Sequence, residues 1–555
     1  MESRATSTTP PAPPRVRISI VLLAVVILVS YFGYFSGLGA LGLIGPDEPR
    51  YVSIARSMAQ GHDWVTPRLY GQPWFEKPIL YYWAAALTFR VGGVNDYAAR
   101  FPAALAALLA ALAMAWAAWR CYGPATAAIV LLLMPTSVAI VGLARAATPD
   151  MLFAATLAAA MAFGAELVVA QKPDLLHRLG FGVFLGAATL AKGPAALALA
   201  AGSVALWALL TRQWRRAFRL VHPLCIAAFT LVALPWYFLC AARNPAFLDV
   251  FLLQHNIARF LTPIYHHVEP FWFFLPIMIL AVIPWSALLF SFASDARSAW
   301  RARDWAARPG LYFGCWSFFT VVFFSISRSK LPGYILPAVP PLVLLLAHGA
   351  TRLIQRADES ARGVTMGLGA TWAALVAGAE IWLRRQPPAS TLASPFASLA
   401  VLQYALIAAG VIGAVIAVLG SRGRIAAALL TNAALVAALL GIANWYVLPA
   451  MDSTYSSRAT ANAALPIVGA ANAANPLDVY RLDRSWQYGL EYYLGRGMPE
   501  WTPAESLPIL VFTNEGGCKD IQRRGMICQA LQETAPAAWL VRVSVLPSRL
   551  PPHSD

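Results

Sequence analysis

The sequence predicts an all-α polytopic membrane protein, with about thirteen transmembrane helices and some interfacial ones, carrying a small C-terminal α/β domain. Three observations carry this. The chain has 555 residues, 59% of them hydrophobic, and only 12% charged, about half the share of a soluble domain. Apolar runs long enough to cross a hydrocarbon core of about 30 Å recur from residue 17 to residue 448. From about residue 449 the pattern changes to short alternating apolar stretches between turn residues.

Taken in order, residues 1–16, with "TSTTPPAPPR", read as a disordered cytoplasmic tail. The run from Ile18 to Leu43 exceeds a signal-peptide core and lacks a small-residue cleavage site, so it reads as a retained first span. Spans are expected near 17–39, 97–119, 123–143, 148–170, 176–191, 193–212 and 217–241, then near 269–292, 310–328, 333–353, 363–383, 397–420 and 424–447. The segment "ILYYWAAALTFRVGG" (79–93) reaches Arg90 too soon to cross and reads as an interfacial helix.

Loop charge supports that count. With a cytoplasmic N-terminus, the short Arg-rich loops 211–219, 297–309, 351–362 and 421–424 all fall inside, as the positive-inside rule requires. The net charge of +16 follows from such loops and implies no nucleic-acid partner. The outside receives a first loop 45–96, a second large loop 242–268, short turns near Arg145, Lys192 and Lys330, and everything from 449 to 555. Asp47, Glu48, Arg50, Glu76, Lys77, Asp150, Lys192, His255, Arg259 and Lys330 thus share one face. Charges at span ends are costly unless paired or wet, so both signs together suggest an outward-facing polar cavity. For any one residue, the need of a short turn for polar groups is a fair competitor.

In the C-terminal domain, "LDVYRL", "LPILVFT" and "AWLVRVSVL" read as strands, with "SWQYGLEYYLGR" and "IQRRGMICQALQE" as helices. Cys121, Cys225, Cys240 and Cys315 lie in or beside apolar runs as packing residues. Cys518 and Cys528 are expected to pair if their compartment is oxidising.

Motifs for nucleotide chemistry fail. "GLGALG" (37–42) matches a dinucleotide pattern but ends a membrane span, with no strand before it. No Walker loop, zinc-spaced cysteine cluster or G-x-S-x-G is present. "GPDEPRYVSIARSM" (45–58) places Asp47 where it could cap a helix, which leaves Glu48 and Arg50 without a role. "WFEKP" (74–78) adds a second charged pair, and a Lys with an Arg could neutralise a departing phosphate. "AKGP" (191–194) carries Lys192 on a Gly-Pro break at membrane depth, a feature that lines cavities. His255 and Arg259 are four apart and fall on one helical face. Tyr334 alone fits an interfacial belt.

Together "PDEPRYVSIARSMAQGHDWVTPRLYGQPWFEKPILYYW", "RAATPDMLF", "AKGP", "QHNIARF" and "SKLPGYILPAVPPL" closely resemble the bacterial 4-amino-4-deoxy-L-arabinose (aminoarabinose) lipid A transferases. These stand with the protein O-mannosyltransferases in the GT-C class of polyprenyl-phosphate-dependent glycosyltransferases. The resemblance covers roughly residues 15–345. It implies a GT-C fold in the bacterial inner membrane, with a cytoplasmic N-terminus, a transmembrane catalytic part over 17–448 and a periplasmic domain over 449–555. It also implies inverting transfer of a sugar, here aminoarabinose, from undecaprenyl phosphate to lipid A phosphate on the periplasmic face. By the same resemblance Asp47 is the catalytic carboxylate and Asp150 a second acid. Lys77, Arg259 and Tyr334 hold the donor phosphate, and Arg50 and Lys192 are further polar residues of the cavity. Glu76 and His255 match a pair able to hold a divalent metal such as zinc, which the chemistry does not require. Two rivals stand: a same-class transferase moving another sugar, such as mannose, to protein Ser/Thr or an envelope glycan, and a transporter. The transporter ranks lower, because the charges crowd one face without an internal repeat.

Overall fold

The computed structural model describes residues 20–169, 174–262, 269–302, 304, 308–385, 400–469, 476–503, 508–535 and 537–545; the tail expected over 1–16 lies outside them. The chain is a mostly helical, multi-pass membrane protein ending in a small sheet. Among the described residues, seven helices are long and apolar enough to cross a membrane, and nine if each of two bent pairs counts as one. Shorter apolar helices cover Ile20–Phe35, Ala195–Thr211 and Gly310–Ile326. The most central is Pro149–Val169, almost wholly buried and rich in alanine, which lets its neighbours approach closely.

Two of the expected spans are broken. The expected 123–143 span is Pro124–Thr136 followed by Val138–Ala144 at 61°, and the expected 269–292 span turns by 108° between Phe271–Ala281 and Trp285–Ser294. Pro135 and Pro284 remove backbone donors near the two breaks. The freed groups satisfy one another: the Val138 N–H donates to the Ile283 carbonyl at 3.1 Å, and the Trp285 indole donates to the Thr136 hydroxyl at 2.9 Å. Irregular backbone at membrane depth is tolerated when it is buried and bonded in this way.

The first long loop holds helix α1 (Asp47–Gly61), a short hairpin of β1 (Arg68–Leu69) and β2 (Gln72–Pro73), and helix α2 (Leu80–Gly92). With 13 residues, α2 is about 20 Å long and too short to cross, as the position of Arg90 implied. It packs on α1 and leads into Asp96–Tyr122.

The C-terminal sheet has four strands, β3 (Leu477–Val479), β4 (Ile509–Thr513), β5 (Met526–Ala535) and β6 (Ala538–Val545), in the order β3-β4-β6-β5. Here the sequence reading needs correction, because "IQRRGMICQALQE" is helical only to Arg523. Gly525, at φ +80, ends the turn, and Met526 onward pairs antiparallel with β6. Alternation in "MICQALQE" was masked by its polar residues; the strand is set by the edge that β6 offers. Cys518 and Cys528 form a disulfide between the helix Glu515–Arg523 and β5. Of the other cysteines, Cys225, Cys240 and Cys315 are buried and Cys121 is half-buried.

This region is tied to the first loop by polar contacts. Arg458 bonds Asp96 at 2.8 Å and also donates to the Gly39 and Ala40 carbonyls. The Tyr493 hydroxyl accepts from the Leu43 N–H at 2.7 Å, and Arg56 donates to the Tyr492 carbonyl at 2.7 Å. The helix Arg484–Leu494 is thereby laid across α1.

Candidate active site

Gly45, at φ +65, turns the chain, and Pro46 opens α1. The cap position is Pro46 itself, without a side-chain hydrogen bond, so Asp47 does not serve as the cap. The three charges of "PDEPR" divide between two faces of the helix. Glu48 points inward, 4% exposed, and accepts two bonds from Arg100 at 2.9 and 2.7 Å. It also accepts the N–H groups of Ile44 at 2.9 Å and Ala147 at 2.7 Å. Arg100 spends its other donors on the carbonyls of Leu38, Leu41 and Gly42. Glu48 therefore fixes the start of α1 to the turn before Pro149–Val169.

Asp47 points outward, with its side chain 51% exposed, and pairs with Arg50 at 2.5 Å. Arg50 also reaches Glu76 at 3.1 Å, and Glu76 reaches Lys77 at 3.3 Å. The guanidinium of Arg50 lies 5.3 to 5.6 Å from the rings of Tyr51, Trp74 and Tyr488, a cage suited to a cation. Burial alone would lower the pKa of Arg50, but Glu76, with Tyr51 and Asp47, outweighs it and holds the group above its ordinary value.

On the other side, Lys192 ends the helix Leu175–Lys192, where Gly193 at φ +79 and Pro194 break the chain. Its ammonium forms an ion pair with Asp150 and sits 4.9 Å from the centre of the Tyr334 ring. These two groups face one cavity of about 920 Å³. Asp47, Arg50, Glu76 and Lys77 line it from the first loop, Asp150 and Lys192 from two helix ends, and His255 and Tyr334 from the later loops. Carboxylates beside cations in such a cavity can orient an incoming nucleophile and neutralise a departing anion.

Sequence and fold were then compared with known proteins. The family described as dolichyl-phosphate-mannose-protein mannosyltransferase matches residues 18–251. Curated relatives are undecaprenyl phosphate-alpha-4-amino-4-deoxy-L-arabinose arabinosyl transferases. The one from Edwardsiella ictaluri is 32% identical over 340 residues, 60% of each chain. That from Pseudomonas aeruginosa (strain UCBPP-PA14) is 33% identical over 368 residues, 65% of this chain and 66% of the relative. The matched part thus spans about 60% of the length of the Edwardsiella relative. The crystal structure of ArnT from Cupriavidus metallidurans in the apo state aligns with a TM-score of 0.77 at 24% identity, over 94% of this chain and 97% of that one. The same protein bound to undecaprenyl phosphate aligns with a TM-score of 0.74 at 23% identity, with the same coverage. In sequence over about 60% of its length, and in fold over nearly all of it, the chain is similar to these arabinosyl transferases.

Within this fold, two described residues of the expected outer cluster do not line the cavity. Lys330 is buried and donates to the Glu269 carbonyl at 3.0 Å. Glu48 is the structural partner of Arg100. Arg145, expected in an outer turn, instead donates to the Ser36 and Gly37 carbonyls. The backbone of Arg259 starts a short helical turn after the π-helical stretch Asp249–Ala258; its side chain lies outside what is described. The sequence reading missed Trp74, Arg243, Arg484 and Tyr488. Trp74 directly precedes "FEKP", and an aromatic next to a caged cation is a usable signal. For Arg484 and Tyr488 nothing along the chain points to these places, because helix docking alone brings Arg484 to the cavity and Tyr488 against Arg50.

Among the described residues no group of three or more His, Cys, Asp or Glu side chains is arranged to hold a metal. A divalent ion at Glu76 and His255 would have to share the Glu76 carboxylate with Arg50 and Lys77, so this donor set fits a metal poorly.

Proposed function

We propose that this protein is an inverting glycosyltransferase of the GT-C class that moves 4-amino-4-deoxy-L-arabinose from undecaprenyl phosphate to a lipid A phosphate. The observation that carries the reading is the single cavity in which Asp47 and Asp150 meet Lys77, Arg50, Lys192 and Tyr334, drawn from distant loops. The sugar and carrier follow the names of the curated relatives. The carrier also follows the undecaprenyl phosphate bound to the similarly folded Cupriavidus protein.

The donor reaches the cavity by diffusing in the membrane, so no nucleotide is needed. Lys77, Arg259 and Tyr334 hold its phosphate and stabilise the charge that develops as the bond to the sugar breaks. Lys192 pairs with Asp150 beside Tyr334, and Arg50 holds Asp47 in place. The acceptor attacks from the side opposite the leaving phosphate, next to Asp47. A phosphate monoester acceptor has a second pKa of about 6 and is largely ionised at neutral pH, so Asp47 positions the nucleophile more than it removes a proton.

The topology belongs to the same proposal. The long helices, the two bent pairs, the shorter apolar helices and Leu175–Lys192 make up about thirteen spans. The N-terminal tail (1–16) is cytoplasmic, the membrane domain covers 17–448, and the domain over 449–555 lies in the periplasm of an inner-membrane protein.

The family description naming mannose and protein supports a second reading, a same-class enzyme with another sugar or a protein or glycan acceptor. Mass spectrometry of lipid A from cells with and without the chain separates the two. The aminoarabinose mass increment is expected only with the chain, and its lack in both would overturn the leading assignment.

A further inference from the structure

We propose that Arg484, from the C-terminal domain, binds the anionic group of the acceptor; this rests on the functional reading above. Every other described Lys or Arg lining the cavity already faces a carboxylate. Arg50 has Asp47 and Glu76, Lys77 has Glu76, Lys192 has Asp150, and Arg243 has Asp63 at 3.5 Å. Arg484 lines the same cavity, is exposed, and forms no ion pair among the described residues. Its contacts are with Tyr488: a hydrogen bond to the hydroxyl at 3.4 Å and a ring stacking at 5.7 Å. A guanidinium whose charge is not spent on the protein, placed on an aromatic ring at a cavity wall, is suited to grip a phosphate by a forked pair of bonds.

The reaction involves two anions, and position decides between them. Tyr488 stacks on Arg50 as well as on Arg484, and Arg50 holds Asp47. Arg484 therefore belongs to the Asp47 pole of the cavity. Tyr334, assigned to the donor phosphate, stands with Lys192 and Asp150, and Lys77, also assigned to that phosphate, interacts with Asp150 as well as with Glu76 and so lies between this group and the Asp47 pole. Inversion requires the nucleophile to approach opposite the leaving group, so the anion beside Asp47 is the acceptor's.

A second observation agrees. The segment Asp483–Trp486 borders a neighbouring groove of about 710 Å³, whose other walls include Ile44, Gly45 and Tyr455. Its described lining carries Asp483 and Glu515 but no Lys, Arg or His. Such a groove suits neutral sugar hydroxyls and faces, which hydrogen-bond to carboxylates and stack on Trp486 and Tyr455. Gly45 and Asp483 line this groove while their neighbours Pro46, Asp47 and Arg484 line the cavity. An acceptor sugar in the groove would thus present its phosphate to Arg484 and Asp47.

The test uses the full chain reconstituted in vesicles, with undecaprenyl-phosphate-linked aminoarabinose and a lipid A acceptor, varying each in turn. Arg484→Ala should raise the acceptor KM about 10-fold, the loss of one charge-assisted contact. Donor KM should stay within about twofold, and Arg484→Lys should recover part of the loss. Donor binding and thermal midpoint of R484A serve as the folding check; a variant that binds donor normally but has lost all transfer at low acceptor, regained at high acceptor, also supports the assignment. An unchanged acceptor KM, or a rise confined to the donor KM, overturns it. Wild-type transfer only to a neutral acceptor would instead overturn the functional reading, a result distinguishable from failure of the Arg484 assignment alone.

Discussion

Asp47 and Glu48 are adjacent carboxylates, and their substitutions should separate function from stability. Glu48→Gln keeps the shape but removes the charge opposite Arg100. Breaking one side of a buried ion pair costs about 3–5 kcal/mol, because the remaining charge is uncompensated. Arg100 keeps carbonyl acceptors at 2.8 Å from Leu38 and 2.9 Å from Gly42, which places the cost near the lower end, about 3 kcal/mol. The amide also makes a weaker acceptor for the Ala147 N–H, loosening the link that sets Asp47 relative to Asp150. Asp47→Asn touches a half-exposed side chain, and a change at such a site moves stability by about 0.5 kcal/mol or less. The assay is a thermal or denaturant melt of the detergent-solubilised protein, run beside a transfer assay. E48Q should melt well below wild type, whereas D47N should melt normally and lose transfer. If E48Q melts like wild type, or D47N turns over like wild type, the division of labour described for this helix is wrong.

Lys77→Ala should weaken donor binding about 10- to 100-fold, the worth of a hydrogen bond from a charged group, as measured with a labelled lipid-linked sugar; unchanged affinity would remove Lys77 from the donor site. Burial pushes the Glu491 carboxyl up to about 7, above its ordinary range, so between the two pKa values the folded state holds a proton the unfolded state has lost. Stability should therefore be greatest at low pH and fall as pH rises through that window. Glu491→Gln should flatten this part of the profile, and a slope equal to that of wild type would count against it. Alkylation after reduction should label Cys518 and Cys528 together, while the non-reduced protein should leave both unlabelled.

Much of this molecule is legible along the chain because hydropathy and loop charge are local quantities. That the chain crosses a membrane many times, and that the segment 79–93 is too short to cross, follow from the length of each apolar segment. The strand Met526–Ala535 was illegible because a polar edge strand takes its conformation from its partner rather than from its own pattern. The breaks near Pro135 and Pro284 were half legible: the prolines are visible, but their tolerance depends on the bonds exchanged between the two breaks.

The sequence by itself determined that the chain is built of many membrane-crossing helices, and the kinds of charge that gather in one cavity. Only the tertiary structure decided which charge neutralises which. Glu48 is given to Arg100, which lies 52 positions away, and Arg50 is caged partly by Tyr488 from the far C-terminal helix. Among the described residues, Arg484 is left without a carboxylate. The physical reason is that desolvation and Coulomb energy depend on distances through space, which no window along the chain contains.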